Sequence, residues 1–266
     1  MATEAAPAGD YRKYVGPPDD YDLMGGLQFS LLLALGLREQ HRLADVGCGS
    51  LRAGRLFIPY LAAGNYYGVE PNRWLVDEGI AKELGPSAVE LKAPHFASND
   101  DFDLSGFGTQ FDFVLAQSIF SHTFADLTAQ AFHNLRVSLA PGGLVVATYY
   151  VRRRYAPGHT HTPESGHGFL HPGVVGYRWR QIEALLDGAG LVGHRVNWRH
   201  PRQEWFLAVR KGDEATLRTA VEQSCRSLHA LPRSRRVRDD VNITLIEWRK
   251  RRRRQWARLS KALGRN

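Results

Sequence analysis

The chain has 266 residues, 43% of them hydrophobic, so it can bury one substantial core and carry an appendage. Its two cysteines, Cys48 and Cys225, are too few for a disulfide framework, which predicts a protein of the reducing cytoplasm. The net charge of +8 comes from the end of the chain: residues 226–266 hold 14 Lys/Arg and 3 Asp/Glu, whereas residues 1–225 hold 21 and 24. The basic balance therefore gives no information about the charge of a ligand bound by the first 225 residues.

Residues 1–24 are predicted to form an N-terminal arm. Residues 1–10 lack the charged-then-apolar pattern of a signal peptide. Residues 11–18 end in two prolines and are expected to be extended. Leucines at helical spacing then predict a short helix over residues 25–35, and the apolar run at residues 27–37 is too short to span a bilayer.

The next segment, residues 43–50, reads Leu-Ala-Asp-Val-Gly-Cys-Gly-Ser, which predicts a buried strand, a glycine-rich turn and a helix beginning near Ser50. A second strand is predicted over Tyr66–Val69 and is followed by Glu70, 21 residues after Gly49. In a parallel sheet this order brings the turn and the acid to the carboxyl edge, where ligands bind. The glycines let the backbone approach a ligand closely, and the carboxylate can accept hydrogen bonds from two ribose hydroxyls.

The residue types in the turn narrow the choice of cofactor. Counting from Gly47, a dinucleotide-binding turn needs a third glycine where this chain has Arg52, and Asp45 would repel a pyrophosphate. S-adenosylmethionine has no phosphate; its ammonium group suits an acid, and its carboxylate can meet helix amides or Arg52. In these residues, with Cys48 inside the turn, the chain resembles the class I S-adenosylmethionine-dependent methyltransferases. It departs from their commonest pattern at Leu51, where a last glycine usually stands.

The rest of the chain alternates strands with helices. Further strands are predicted near residues 95–97, 111–116, 144–150, 191–198 and 204–209, and helices over residues 72–84, 125–139 and 178–188. This pattern predicts an α/β fold with a doubly wound, seven-stranded, mostly parallel sheet of the Rossmann-like methyltransferase type, whose last strand is antiparallel. The predicted methyltransferase domain is residues 1–225, and residues 226–266 are a basic helical tail.

The resemblance covers residues 25–210 and implies where the adenine of the cofactor binds. It places the adenine pocket at residues 99–102. There Asp100 or Asp101 would accept a hydrogen bond from the adenine amino group, and Phe102 would stack on the ring or meet its edge. The alternative interpretation is that these acids belong to a solvated loop.

The segment after the predicted strand at residues 111–116 is placed beneath the transferring methyl group by the same resemblance. Gln117 and Ser118 are expected to orient the methionine part of the cofactor. His122 is the only side chain there whose usual pKa suits a general base near neutral pH. The alternative is that His122 caps the helix that begins near Ala125.

The loop after the predicted strand at residues 144–150 suits an acceptor-binding lid, since a long insertion at the ligand edge is usually functional. We predict that the acceptor contacts Tyr14 from the arm together with Tyr150, His159 and His161. Arginines at 152–154 would suit a phosphate or carboxylate on the acceptor. No cysteine accompanies the four histidines at 159, 161, 167 and 171, and their spacing matches no usual zinc framework, so no metal site is predicted. The alternative is a solvated crossover.

The sequence also lacks the signatures of several methyltransferase branches. Residues 116–119 read Ala-Gln-Ser-Ile where amino-methylases of nucleic-acid bases show Asn/Asp-Pro-Pro-aromatic, and Cys225 follows Ser224 rather than the proline of a pyrimidine C5-methylase. A methyltransferase acting on oxygen or nitrogen of a small-molecule, sugar or lipid-linked acceptor remains. The alternatives are an RNA or nucleoside methyltransferase anchored by the tail, and a non-catalytic scaffold that retains the cofactor fold.

The tail combines a basic run with aromatic residues. Helices are predicted over residues 213–228 and from residue 239, and the second carries Trp248 and Trp256 on either side of the six basic residues 249–254. Such a helix can lie on an anionic membrane or grip a polyanion, which predicts a cytoplasmic protein that is peripheral at the membrane surface. The alternative is that its apolar stripe packs on the domain or on a second subunit. No sequence feature predicts the oligomeric state.

Overall fold

A computed structural model describes residues 10–152, 160–171 and 173–229. The chain divides into two units, Met1–Ser224 and Cys225–Asn266, and the architecture below is that of the first unit. The predicted division into a domain of residues 1–225 and a basic tail remains a prediction, because residues 230–266 lie outside the described part. No helix within the described ranges is long and apolar enough to cross a membrane.

The described residues form one sheet of nine strands. In chain order these are β1 (Leu43–Val46), β2 (Tyr66–Val69), β3 (His95–Ala97), β4 (Phe111–Ala116), β5 (Leu139–Val151), β6 (Thr160–His161), β7 (Val174–Tyr177), β8 (Leu191–Val196) and β9 (Glu204–Arg210). The order β3-β2-β1-β4-β5 is parallel throughout. Strand β9 runs antiparallel between β5 and β8, while β7 pairs with only the last two residues of β5.

Helices cover both faces of the sheet. They are α1 (Tyr11–Tyr14), α2 (Tyr21–Ala34), α3 (Gly54–Tyr60), α4 (Arg73–Gly79), α5 (Pro86–Lys92), α6 (Ala125–Ser138), α7 (Trp179–Gly188) and α8 (Glu214–His229). Side chains alternate across β4, so that Val114 joins one hydrophobic core with α6 and α7, and Leu115 joins the other with α2 and α3. A sheet buried on both faces explains why its central strands are almost continuously apolar.

The predicted α/β fold, with its mostly parallel sheet and antiparallel last strand, is confirmed. Four details of the prediction were wrong. The helix expected from Ser50 begins at Gly54, because the turn continues through Leu51, whose φ is 60°. Residues 11–14 are helical rather than extended, since the Asp10 carboxylate accepts from the Arg12 amide and caps them. The short strands β6 and β7 make nine strands where seven were expected, and helix α5 was not predicted.

The N-terminal arm is fixed to the sheet layer by a buried acid. Glu83 lies in a π-helical turn (Ile80–Leu84) directly after α4, and its side chain is only 4% exposed. Its carboxylate accepts from the hydroxyl of Tyr11 at 2.6 Å and from Arg12 Nε at 2.7 Å, and it pairs with Arg55 of α3 at 3.3 Å. Because charge-assisted hydrogen bonds are the strong ones, this cluster holds α1 beside the carboxyl edge of the sheet.

We expect Glu83→Gln to lower the free energy of unfolding by about 2 kcal/mol, because two arginines lose a buried carboxylate, although their partial exposure moderates the cost. Urea unfolding measures this change. The matched control is Glu78→Gln, which removes a surface pair with Lys82 and should cost less than about 0.5 kcal/mol. Equal losses in the two variants would contradict the structural role assigned to Glu83.

Candidate active site

The loop after β1 depends on backbone conformations that favour glycine. Gly47 and Gly49 have φ values of 70° and 54°. The amides of Gly47 and Cys48 donate to the Val69 carbonyl at 2.8 and 3.1 Å, which ties the loop to the end of β2. Leu51 adopts a φ of 60° with a fully buried side chain, so the turn keeps a left-handed residue without a glycine there, at a cost of roughly 1–2 kcal/mol.

Both loop glycines are covered by neighbouring segments. A Cβ on Gly47 would collide with Cδ1 of Ile119, which follows β4, and a Cβ on Gly49 would lie 2.7 Å from Cγ1 of Val15 in the arm. The glycine loop, the segment after β4 and the arm therefore meet at one place on the sheet edge. Any side chain at these two glycines would force the segments apart.

Glu70 connects the loops that follow β1 and β2. One carboxylate oxygen accepts from the Gly49 amide at 3.1 Å, and the other accepts from the amide and side chain of Asn72 at 2.9 and 3.0 Å. Burial raises the pKa of Glu70, while these hydrogen bonds oppose the rise. Since each carboxylate oxygen can accept about two hydrogen bonds, Glu70 retains capacity for a further donor.

Asp45 lies deeper than Glu70. It is 5% exposed and accepts a hydrogen bond from the Tyr66 hydroxyl at 2.8 Å, and burial raises its pKa to about 6. The Cys48 thiol beside it is buried as well, and burial raises its pKa. The charge of Arg52 opposes this rise in the pKa of Asp45, and that of Glu70 adds to it.

Two buried polar atoms near the loop lack partners. Arg52 donates through Nη1 to the Val15 carbonyl at 3.0 Å and through Nη2 to Oε1 of Gln117. Gln28 donates to the same oxygen at 2.9 Å. Within the described residues, nothing accepts from Arg52 Nε and nothing donates to Gln28 Oε1. Because buried polar groups are nearly always hydrogen-bonded, one unpaired donor and one unpaired acceptor fit the carboxylate and ammonium of an amino-acid group.

A polar network that the sequence analysis missed supports Gln117 and Ser118. Gln117 donates to the Ser118 hydroxyl at 2.6 Å and lies 3.1 Å from Nε2 of His200. Gln203 donates to the same hydroxyl at 2.8 Å and accepts from Thr148 at 2.5 Å. His200 and Gln203 come from the loop before β9, more than 80 residues along the chain. The only signal in the sequence was their position just before the last predicted strand.

His122 follows β4 and has a defined protonation pattern. Its Nδ1 lies 2.8 Å from the Gly173 carbonyl oxygen and 3.2 Å from that of Leu170. Two acceptors at Nδ1 require the hydrogen there, so the neutral ring presents a lone pair at Nε2, which no described residue hydrogen-bonds. Burial lowers the pKa of His122, and His171 lowers it further. Helix α6 has no side-chain cap, so capping does not account for His122.

Two rings of one segment, Phe169 and His171, contact His122, and His171 links it to further aromatic residues. The His171 ring lies 5.5 Å from His122 and stacks on Tyr14 of the arm at 5.4 Å, and Tyr14 meets Trp74 of α4 edge-on. Phe169, which is 58% exposed, lies 5.9 Å from His122. The predicted acceptor residue Tyr14 is thus connected to the predicted base through the ring of His171.

The other predicted acceptor residues lie elsewhere or are not described. His161 is exposed on β6 and contacts Phe124, and Tyr150 is half-buried on β5 opposite Gly176. Neither has a ring contact with the rings around His122 in the part of the chain described here. His159 lies outside the described residues. No group of three or more metal-ligating side chains occurs in residues 10–152, 160–171 and 173–229.

The predicted adenine loop offers acceptors of different kinds. The Asp101 carboxylate accepts from the Asp103 amide at 3.1 Å and so stabilises its own turn, whereas Asp100 is exposed and makes no hydrogen bond to a described residue. The buried Oδ1 of Asn99 likewise has no donor within the described ranges. Phe102 has a φ of 62° and is buried in the hydrophobic core.

Comparison with known proteins agrees with this architecture. Residues 44–145 match the family model described as a methyltransferase domain. Magnesium protoporphyrin IX methyltransferase from Synechocystis, solved with bound SAH, superposes with a TM-score of 0.54 at 16% identity, covering 75% of this chain and 92% of that one. The CcbJ methyltransferase from Streptomyces caelestis gives 0.55 at 18% identity, covering 74% and 91%. A sugar N-methyltransferase from a Streptoalloteichus species gives 0.53 at 17% identity, covering 79% and 96%.

At these identities the solved structures show a shared fold, and the family model adds a similarity in sequence to methyltransferase domains over residues 44–145. It runs from β1 through the glycine loop, Glu70, β4 and His122 into β5. The chain therefore shares its fold with these methyltransferases, and its residues 44–145 are similar to a methyltransferase domain.

Proposed function

We propose that this enzyme methylates an oxygen or nitrogen of a small-molecule, sugar or lipid-linked acceptor, with His122 as the general base. The observation that carries the proposal is the fixed tautomer of His122, which leaves a lone pair at Nε2 beside the rings of Phe169 and His171, after a strand that ends at the ligand edge of the sheet. Two of the proteins named above are a magnesium protoporphyrin IX methyltransferase and a sugar N-methyltransferase, which supports this acceptor class.

The residues that would hold the cofactor come from both sides of the glycine loop. When bound, S-adenosylmethionine would supply a methyl group on a positively charged sulfur. The acceptor atom would attack the methyl carbon in line with the sulfur, which leaves as a neutral thioether. Glu70 would accept from the ribose hydroxyls, and Asp100 or Asn99 would accept from the adenine amino group. Arg52 would bind the carboxylate and Gln28 the ammonium. This assignment would give partners to Arg52 Nε and Gln28 Oε1, which have none among the described residues.

His122 acts on the acceptor. As a hydroxyl or amine of the acceptor attacks, its proton passes to Nε2, and the Gly173 carbonyl stabilises the resulting imidazolium through Nδ1. The lowered pKa of His122 keeps the ring in its neutral, basic form at neutral pH. The imidazole is therefore neutral when the acceptor binds, and the proton that it takes up is released to water before the next turnover.

We expect S-adenosylhomocysteine to bind the full chain in calorimetry and Glu70→Ala to weaken the binding by about 1–3 kcal/mol, the scale of lost charge-assisted hydrogen bonds. The matched control is Glu78→Ala, which removes a partly exposed acid of α4. Because Glu70 also bridges two loops, thermal unfolding of each variant is measured alongside. The absence of any binding heat with the unchanged protein would favour the non-catalytic scaffold.

We expect His122→Ala to lower turnover by about 10²–10⁴-fold, the usual contribution of a general base, with S-adenosylhomocysteine affinity nearly unchanged. Turnover is measured as methyl transfer to an acceptor found by screening. His194→Ala, on exposed strand β8, is the control and should keep full activity. If His122→Ala also abolished cofactor binding, its role would be structural.

We further propose that residues 226–266 bring the enzyme to an anionic membrane surface, which suits a lipid-linked acceptor. The support is the excess of 14 basic over 3 acidic residues and the two tryptophans beside the basic run. The domain itself carries no comparable charge, so attraction to a membrane would come from the tail.

Sedimentation with lipid vesicles tests this proposal. We expect the full chain to bind anionic vesicles and not neutral ones, and a variant with Arg251, Arg252, Arg253 and Arg254 replaced by Gln to bind neither. Equal binding in all four cases would exclude the membrane role. Preferential, steeply salt-dependent binding to RNA would instead support the nucleic-acid alternative.

A further inference from the structure

Two guanidinium groups lie together beside the arm. The position that a Cβ on Gly16 would occupy is 3.5 Å from Nη1 of Arg52 and 3.8 Å from Nη2 of Arg202. Arg202 belongs to the loop between β8 and β9, which was not among the predicted site residues. The arm thus passes the two cations at a residue with no side chain, whose φ of 136° also favours glycine.

Neither cation has an acid within ion-pair distance in the described part of the chain, although the charges of Asp45 and Asp20 act on Arg52 from farther away. Neither Arg52 nor Arg202 forms an ion pair there, whereas Arg12 and Arg55 of the arm and α3 share Glu83 and Asp22. Like charges at close range destabilise each other unless an anion lies between or beside them. Two neighbouring guanidinium groups without an ion-pair partner, at the ligand edge of the sheet, indicate a site for an anionic ligand.

The position of Arg202 relates it to the acceptor as well as to the cofactor. Its charge contributes to lowering the pKa of Arg52 and of His200, and also that of His122. Arg202 is therefore within electrostatic reach of both the buried Arg52 and the proposed base. His200 Nδ1 accepts from the Arg202 amide at 3.1 Å and from the Gln203 amide at 2.8 Å, and these hydrogen bonds fix the loop. Because its pKa is lowered, the His200 ring is neutral and adds no charge there.

Charge balance then assigns the ligand. The amino-acid end of the cofactor contains one carboxylate and one ammonium, so it brings no net charge and has one anionic group for Arg52. The charge of Arg202 then still has no anionic partner, and the residue is exposed, so that a ligand can reach it. Resting on the proposed function, we infer that Arg202 binds a carboxylate or phosphate of the methyl acceptor, so that the substrate is an anionic small molecule. Guanidinium suits both groups, because its planar fork donates two parallel hydrogen bonds.

The test uses full-length protein saturated with S-adenosylhomocysteine and titrated separately with inorganic phosphate and with acetate. NMR signals of the His122 ring, assigned by their loss in His122→Ala, report binding at the site independently of the basic tail. We expect a saturable shift with at least one of the two anions, and the stronger of them identifies phosphate or carboxylate as the group. In Arg202→Gln that affinity should fall at least tenfold, as the loss of a charged fork predicts.

Arg199→Gln is the matched control, since Arg199 is exposed in the same loop, and it should leave the anion affinity unchanged. Arg202→Gln should also leave S-adenosylhomocysteine affinity within about twofold. Unchanged anion affinity in Arg202→Gln, or no saturable shift in the unchanged protein, would overturn the inference. A tenfold loss of S-adenosylhomocysteine affinity in Arg202→Gln would assign Arg202 to the cofactor and overturn it too. Failure of the unchanged protein to bind S-adenosylhomocysteine would refute the proposed function instead.

Discussion

The hydrogen bonds of one buried carboxylate join the loops on which the site depends. Glu70 ends β2 and accepts from the amide of Gly49 in the loop after β1 and from Asn72 at the start of α4. Parallel pairing of β1 with β2 brings the two loops to the same edge, and Glu70 then fixes their spacing. Because the carboxylate is buried, it has no water to replace these donors, so the loops cannot separate without leaving a charge unpaired.

A second layer of polar contacts connects this edge to the acceptor side. Gln117 accepts from Arg52 and Gln28 and reaches Ser118 and His200, so the loop after β1, helix α2, the segment after β4 and the loop before β9 share one network. Such networks position side chains rigidly when every member is satisfied. Here the unsatisfied atoms are Arg52 Nε and Gln28 Oε1, and they lie where an amino-acid group has complementary atoms.

The sequence predicted the parts of the fold that local pattern controls. The apolar runs of β1, β2 and β4 and the helical stripe of α6 fell at their observed positions, because burial on both faces of the sheet determines their composition. Short elements were missed: β6 and β7 have two and four residues, too few for a periodic pattern, and α1 depends on a single capping contact at Asp10.

The sequence predicted those site residues that come directly after a parallel strand. Glu70, Gln117 and His122 do so, and their placement at one edge follows from parallel order. His200, Arg202 and Gln203 precede an antiparallel strand, and they reach the site only because β9 inserts between β5 and β8. That insertion is a property of the whole sheet, so no local pattern could indicate it. The assignment of individual residues to the cofactor and the acceptor stays a prediction.

The contact between Val15 and Gly49 links ligand exchange to the arm. The Val15 side chain rests on the glycine, and its carbonyl accepts from Arg52, which is a ligand-side cation. A molecule that lies on this glycine must displace the valine, and the arm moves with it, since α1 ends one residue earlier and is anchored at Glu83. The pair between Arg12 and the buried Glu83 would therefore oppose the opening of this surface, and because Glu83 is shielded from solvent, added salt would weaken the pair little.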